Sequence, residues 1–256
     1  MLIDTHAHLD DRAFDADRDA TLARARQAGV HAIINVGFSA ERWITTMALT
    51  AAHADVYAVL GVHPHEAATW DDALLARLRT ALAGPKVVGL GEIGLDFYRD
   101  YAPHERQRLA FRAQLALARE LDLPVVMHSR AAEDEVVATL ADEGVRRGVL
   151  HSFSGPLATA ARALELGVHI SLTGPVSYPN GEHQRELARL IPADRLLLET
   201  DCPYLAPQAR RGKRNEPAFL PFTAAAIATA RGVTTEAIVA TTGRNALALF
   251  GLLDPT

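Results

Sequence analysis

Short, nearly continuous apolar runs recur along the chain and alternate with longer segments of helical periodicity. The runs are Leu2–Asp4, Ala32–Val36, Val56–Gly61, Val87–Gly91, Val125–Met127, Gly148–Leu150, His169–Leu172 and Arg195–Leu198. They do not alternate apolar with polar residues. That is how strands read when both faces are covered, as in a parallel sheet. Helices are predicted over Asp19–Ala28, Glu105–Asp122, Ala131–Glu143, Leu157–Leu166, Gly181–Leu190, Phe219–Arg231, Thr235–Thr241 and Asn245–Leu252. Several stop at a breaker: Gly29, Gly144 and Gly167, or the prolines Pro124 and Pro192. Strands alternating with helices predict an α/β chain folded as a TIM-type (β/α)8 barrel. Pattern alone does not establish closure, so a doubly wound open sheet also fits it.

Length and composition narrow the picture. The 256 residues, 49% hydrophobic, suit one barrel, which takes about 250 residues. Two smaller domains would fit the length as well. No Pro/Gly/Ser-rich linker or charge block divides the chain, so a single domain over 1–256 is expected. A formal net charge of −5 argues against a broad basic surface for coating duplex nucleic acid, though not against a local cationic patch. The lone Cys202 excludes an internal disulfide and suits a reducing compartment. With no basic-then-apolar leader and no apolar stretch of membrane length, the sequence reads as cytoplasmic, without a membrane or an obligatory protein partner.

The chemistry lies where polar residues interrupt the apolar runs. His6 and His8, Glu92, His128, His151 and Asp201 each follow a short strand, as does His63. The C-terminal rim of a barrel is where its catalytic groups stand. In an extended segment His6 and His8 point to the same side, making a chelating pair for a divalent ion. Each of the other residues has a structural reading alone: a paired glutamate, rim histidines, a turn-capping aspartate. Together they form four imidazoles and two carboxylates without a thiolate, which suits Zn, Mn, Mg, Co or Ni. Six ligands exceed the needs of one catalytic ion. Two divalent ions about 3.5–4 Å apart, bridged by a carboxylate and a water, accommodate them, and the water becomes hydroxide near neutral pH. Asp201 could then take the water's proton and pass it to the leaving group.

The runs around these residues closely resemble a known family. They are Asp4-Thr5-His6-Ala7-His8, Gly61-Val62-His63-Pro64-His65, Gly91-Glu92-Ile93-Gly94-Leu95-Asp96, His128-Ser129-Arg130, His151-Ser152-Phe153-Ser154-Gly155, Glu199-Thr200-Asp201-Cys202-Pro203-Tyr204-Leu205 and Arg211-Gly212-Lys213-Arg214-Asn215-Glu216-Pro217. In order and spacing they resemble the TatD family of metal-dependent deoxyribonucleases, within the amidohydrolase-like hydrolases. The resemblance implies a TIM-type barrel with two ions. His6, His8, Glu92 and Asp201 would hold the first and Glu92, His128 and His151 the second, with Glu92 bridging. It also implies hydrolysis of DNA phosphodiester bonds, exonucleolytic on single strands or ends. Ser152 and Phe97 stand where Cys and Tyr are frequent in the family, and neither is a ligand in this scheme.

Around the metals, His63 and His65 are expected at the rim, hydrogen-bonding a substrate phosphate. Arg130 reads equally as a phosphate ligand or a surface ion pair. The stretch Arg210–Arg214 carries four cations in five residues, a charge run that could be a solvated loop or a positive lip. Asn215 is assigned to substrate contact. Phe153 and Tyr204 could stack on bases or pack against loops, and Cys202 reads as a small buried hydrophobe. A metal-dependent amidase, lactonase or aminoacyl-ester deacylase would use the same dinuclear centre. A non-catalytic metal-retaining barrel is the third reading.

Overall fold

The computed structural model describes residues 1–252; the last positions of the expected domain, 253–256, lie outside the described residues. Eight parallel strands are hydrogen-bonded in sequence order: β1 (Leu2–Ala7), β2 (Val30–Gly37), β3 (Val56–Leu60), β4 (Val87–Asp96), β5 (Val125–Arg130), β6 (Gly148–Leu150), β7 (His169–Leu172) and β8 (Leu196–Leu198). Nine α-helices accompany them among the described residues: α1 (Arg18–Gln27), α2 (Ala40–Ala52), α3 (Asp72–Leu82), α4 (His104–Glu120), α5 (Glu133–Asp142), α6 (Leu157–Glu165), α7 (Glu182–Leu190), α8 (Leu220–Arg231) and α9 (Thr235–Phe250). This is the TIM-barrel architecture. No described helix is long and apolar enough to cross a membrane.

Two apolar layers hold the barrel. Inside it, Ile3, Ile34, Val36, Val59, Val126, Val149 and Leu197 pack with Ala246, Leu249 and Phe250 of α9. Outside it, the other faces of the strands meet the helices through buried side chains such as Leu22, Trp43, Leu78, Phe111, Val136 and Ile227. Strands covered on both sides explain the unbroken apolar runs. The helix α9 is continuous, where the sequence suggests a break between Thr241 and Asn245. The glycine in that gap, Gly243, serves close packing: a Cβ there would sit 2.1 Å from the Met1 carbonyl oxygen. Helices α2 and α3 are not among the expected ones, yet each starts on a local cap. Ser39 Oγ accepts from Arg42 N–H at 3.3 Å, and Asp71 Oδ1 from Leu74 N–H at 2.7 Å.

Three strands run further than their apolar cores predict. β1 continues through His6, β4 through Glu92 to Asp96, and β5 through His128, so these residues lie within strands rather than just beyond them. In two of them the register slips at the functional residue. β4 pairs with β5 at Gly91–Val126 and then Ile93–Met127, leaving Glu92 as the extra residue, and β1 gains one between Asp4 and Ala7. Such bulges re-aim side chains.

The seam between β1 and β8 closes the ring. Ala7 and Cys202 form a parallel bridge. Asp201 N–H donates to the His6 carbonyl, and His8 N–H to the Cys202 carbonyl, both at 2.9 Å. Side chains complete it. Asp4 is fully buried and accepts from Thr200 N–H (2.9 Å) and Thr200 Oγ1–H (2.6 Å), while Thr5 Oγ1 donates to the Leu198 carbonyl at 3.0 Å. Desolvation pushes the Asp4 carboxyl up to about 7, against the hydrogen bonds from Thr200. Thr200→Val removes one of those bonds without opening a cavity. It is expected to cost about 1–3 kcal/mol for the partner left unpaired, seen as a fall in Tm of roughly 2–4 °C per kcal/mol. A variant melting with the wild type would show that the seam does not depend on this pair.

Candidate metal centre

The six expected ligands converge on one patch at the C-terminal end of the barrel. Glu92 organises it. Its side chain is buried, and its two oxygens face different groups of nitrogens. Oε2 lies 3.5 Å from His6 Nε2. His6 Nε2 is 3.3 Å from His8 Nε2, and Asp201 Oδ1 lies 3.4 Å from His8 Nε2 and 3.8 Å from His6 Nε2. The other oxygen, Oε1, lies 2.9 Å from His151 Nε2 and 3.0 Å from His128 Nδ1, and those two nitrogens are 3.3 Å apart. The rings of His6 and His151 stack at 4.0 Å between the two groups.

Glycine makes this approach possible. A Cβ on Gly91 would lie 2.6 Å from the Val126 carbonyl oxygen, and one on Gly94 only 2.0 Å from that of His128. Both have positive φ (157° and 138°), so β4 presses against β5 on either side of Glu92 only with glycine at these positions.

The electrostatics are those of anions held among imidazoles. Burial opposes ionisation of Glu92, but His151, His63 and His128 outweigh it and hold the carboxyl well below its usual range. Asp201 is likewise held down, against burial, by its hydrogen bond with His8 and by the charges of His151 and His6. Burial works against protonating His151 too, yet Glu92 and Glu199 raise it well above normal. Ionised carboxylates converging with desolvated nitrogens suit a divalent cation. The Nδ1 atoms of His6 and His8 are buried without a hydrogen-bond partner among the described residues.

Two carboxylates outside the expected set stand behind the histidines of the second group. Asp96 Oδ2 lies 3.0 Å from His128 Nε2, placed to hold a proton there when Nδ1, on the Glu92 side, is given to a cation. Glu199 Oε1 lies 3.4 Å from His151 Nδ1, near in charge but without a hydrogen bond to it among the described residues, and accepts from Ser152 N–H at 2.6 Å. Carboxylates placed like Asp96 commonly orient metal-binding histidines. Both stand in motifs noted in the sequence. Glu199 lies two residues before Asp201, a spacing that in extended chain places both on one side, and that was the available signal.

The residues expected at the rim divide. His63 is buried, with Nε2 3.3 Å from Glu92 Oε1. Its Nδ1 accepts the His65 N–H at 3.1 Å, so the neutral ring carries its proton on Nε2 and donates rather than ligates. Burial pushes its pKa down to about 4, against the pull of Glu92, which keeps it neutral. His65 is half-buried and bonds Asp96 Oδ2 at 2.9 Å. Arg130 is exposed and finds no carboxylate among the described residues; its guanidinium lies 4.0 Å over the Tyr98 ring.

Asn215 does not offer the expected substrate contact. It is 1% exposed, its Nδ2 donates to the Thr200 and Tyr204 carbonyls (2.8 and 2.6 Å), and its Oδ1 accepts from Glu216 N–H (3.0 Å). It fastens the loop after β8. The cationic stretch is also split. Arg214 turns inward to Asp17 (2.6 and 2.9 Å) beside Arg24 and Glu216, whereas Arg210, Arg211 and Lys213 are exposed without carboxylate partners among the described residues. Phe153 belongs to the core and Cys202 is fully buried, while Tyr204 is exposed. Burial raises the Cys202 thiol, consistent with an inert sulfur.

Comparison with known proteins identifies the family. The family model for TatD related DNase matches residues 3–251. The chain is 38% identical over 252 residues to the "Uncharacterized metal-dependent hydrolase YabD" of Bacillus subtilis, covering 98% of this chain and 99% of the relative. It is 40% identical over 259 residues to a protein of Erwinia amylovora named "3'-5' ssDNA/RNA exonuclease TatD", covering 98% of this chain and all of the relative (100%). Among solved structures, YJJV, a TatD homologue from Escherichia coli, superposes with a TM-score of 0.93 at 36% identity, covering 98% of each chain. This protein is a member of the TatD-related DNase family of metal-dependent hydrolases.

Proposed function

We propose that the protein hydrolyses phosphodiester bonds at the ends of single-stranded nucleic acid, using two divalent ions held by His6, His8, Glu92, His128, His151 and Asp201. The observation that carries this is Glu92, one carboxylate divided between two nitrogen clusters, with exposed cations on the loops of the same barrel end that meet no carboxylate among the described residues. The 3'-to-5' direction and the acceptance of both DNA and RNA follow the names of the curated relatives. Mg, Mn, Zn, Co and Ni all suit the donor set.

Bound at these residues, the ions would polarise a phosphoryl oxygen and make water acidic enough to react near neutral pH. The chain's own groups do the rest. Glu92 holds the two halves of the centre in fixed relation. Asp201, ionised and facing His6 and His8, takes the proton of the attacking water and returns it to the leaving oxygen. His63, an uncharged Nε2–H donor beside Glu92, is placed to hydrogen-bond a phosphate oxygen. Arg130, Arg211 and Lys213 stand at the mouth, where their charges attract the backbone of an incoming strand. Those cations also favour a phosphodiester over the uncharged substrate of an amidase or ester deacylase.

Three outcomes are expected. With a 3'-labelled single-stranded oligonucleotide and Mg or Mn, Asp201→Asn should release nucleotides about 100- to 10,000-fold more slowly than the wild type; equal rates would sink the assignment. Asp96→Ala should weaken one of two bound ions by roughly 10- to 100-fold, measured by titration calorimetry on chelated protein, and a single unaltered binding isotherm would contradict the two-ion scheme. The double variant Arg211→Gln/Lys213→Gln should raise KM for the oligonucleotide at low salt, with the difference shrinking as salt is added, and leave an uncharged ester unaffected. If cleavage does not respond to the charge, the cationic lip has no part in binding.

A further inference from the structure

Four of the five tyrosines stand on loops at the C-terminal end of the barrel: Tyr98 and Tyr101 after β4, Tyr178 after β7, and Tyr204 after β8. Tyr178 is engaged, its hydroxyl donating to the Ala206 carbonyl at 2.9 Å and Arg211 covering its ring at 4.1 Å. The other three are exposed, at 63%, 65% and 57%. They occupy two loops, and in an eight-stranded ring β4 and β8 lie opposite each other.

The centre lies between them. From Tyr204 a row of rings leads to His8 (6.3 Å), His6 (5.0 Å), His151 (4.0 Å), His128 (5.5 Å) and His65 (6.2 Å), and ends at Tyr101 (4.8 Å). One end of the row adjoins the His6–His8 half of the centre and the other the His128 half. Beside Tyr101, the Tyr98 ring has the Arg130 guanidinium over one face. Rings this exposed at both sides of a phosphodiester-cleaving centre fit nucleobases, which every nucleotide presents as flat π-faces.

We propose that the tyrosines form two base-stacking platforms, Tyr204 taking the base on one side of the scissile phosphodiester and Tyr101, with Tyr98 adjoining, the base on the other. This rests on the nuclease reading above and deepens it. Only an unpaired base can lie on either platform, so the preference for single strands arises here. The shortest good substrate carries a base on each side of the bond, and base identity matters little, since stacking reads no hydrogen-bonding edge.

The test uses the metal-loaded enzyme and single-stranded oligonucleotides carrying 2-aminopurine, whose fluorescence is quenched by stacking, at either the terminal or the penultimate position. A phosphonate at the terminal linkage keeps the strand intact during the fluorescence measurement, and cleavable strands give kcat and KM. Tyr204→Ala and Tyr101→Ala should each release the quenching at one position and not the other. Each should also raise KM by about 5- to 150-fold, the equivalent of ~1–3 kcal/mol of stacking. Tyr204→Phe and Tyr101→Phe should restore both. Unchanged quenching and KM in both alanine variants, or equal loss at both positions in each, would overturn the platforms. Failure of the wild type to cleave any strand, with position-specific quenching intact, would instead overturn the nuclease reading and leave the platforms standing.

Discussion

The site depends on one carboxylate that faces two ways. Glu92 is buried where an isolated anion would be costly, and it is tolerated because each oxygen meets its own set of imidazole nitrogens. That arrangement imposes conditions outward. β4 must bulge to aim the side chain inward, and its neighbours Gly91 and Gly94 must lack Cβ atoms for β5 to lie close. Behind the histidines, Asp96 bonds the far nitrogen of His128 and Glu199 lies beside that of His151. A change at any of these layers is felt at Glu92 without touching it.

The barrel supplies the convergence that the chain order lacks. His6 comes from the first strand, His8 from just past its end and Asp201 from just beyond the last strand, yet the β1–β8 seam sets them side by side. Asp4 and Thr200 tie the same seam one step deeper. The loop after β8 is then fastened from two sides, by Asn215 to the backbone and by Arg214 and Glu216 to the Asp17–Arg24 pair on and before α1. Beside those anchors, Arg210 and Arg211 stay exposed, lying over the Phe222 and Tyr178 rings.

Much of this was legible in the sequence, and the parts that were not share a physical cause. The eight strands show as unbroken apolar runs because both faces are covered, and the six donors show because each interrupts such a run. The ends of β1, β4 and β5 were hidden for the same reason: polar side chains that face the centre end the apolar pattern while the backbone ladder continues. Tyr204 kept its exposure, but Asn215 and Arg214, which look like substrate groups in a polar loop, are spent on partners such as Thr200 and Asp17. Asp17 lies nearly the whole chain away from them. Tautomers belong to the same class, since His63 becomes a donor only through the backbone of His65. The glycine between Thr241 and Asn245 reads locally as a helix break, and only the Met1 carbonyl packed against it shows why a glycine stands inside a continuous helix.

The two halves of the centre also differ in how the chain must fold to make them. Glu92, His128 and His151 come from β4, β5 and the end of β6, neighbours in the sheet that can pair early in folding. The half containing His6, His8 and Asp201 exists only after the two ends of the chain meet, a closure spanning 193 residues at the Thr5–Leu198 contact. Contacts so distant along the chain form late, because the entropy of closing the loop is lost before they repay it. His6, His8 and Asp201 therefore come together only where the ring shuts.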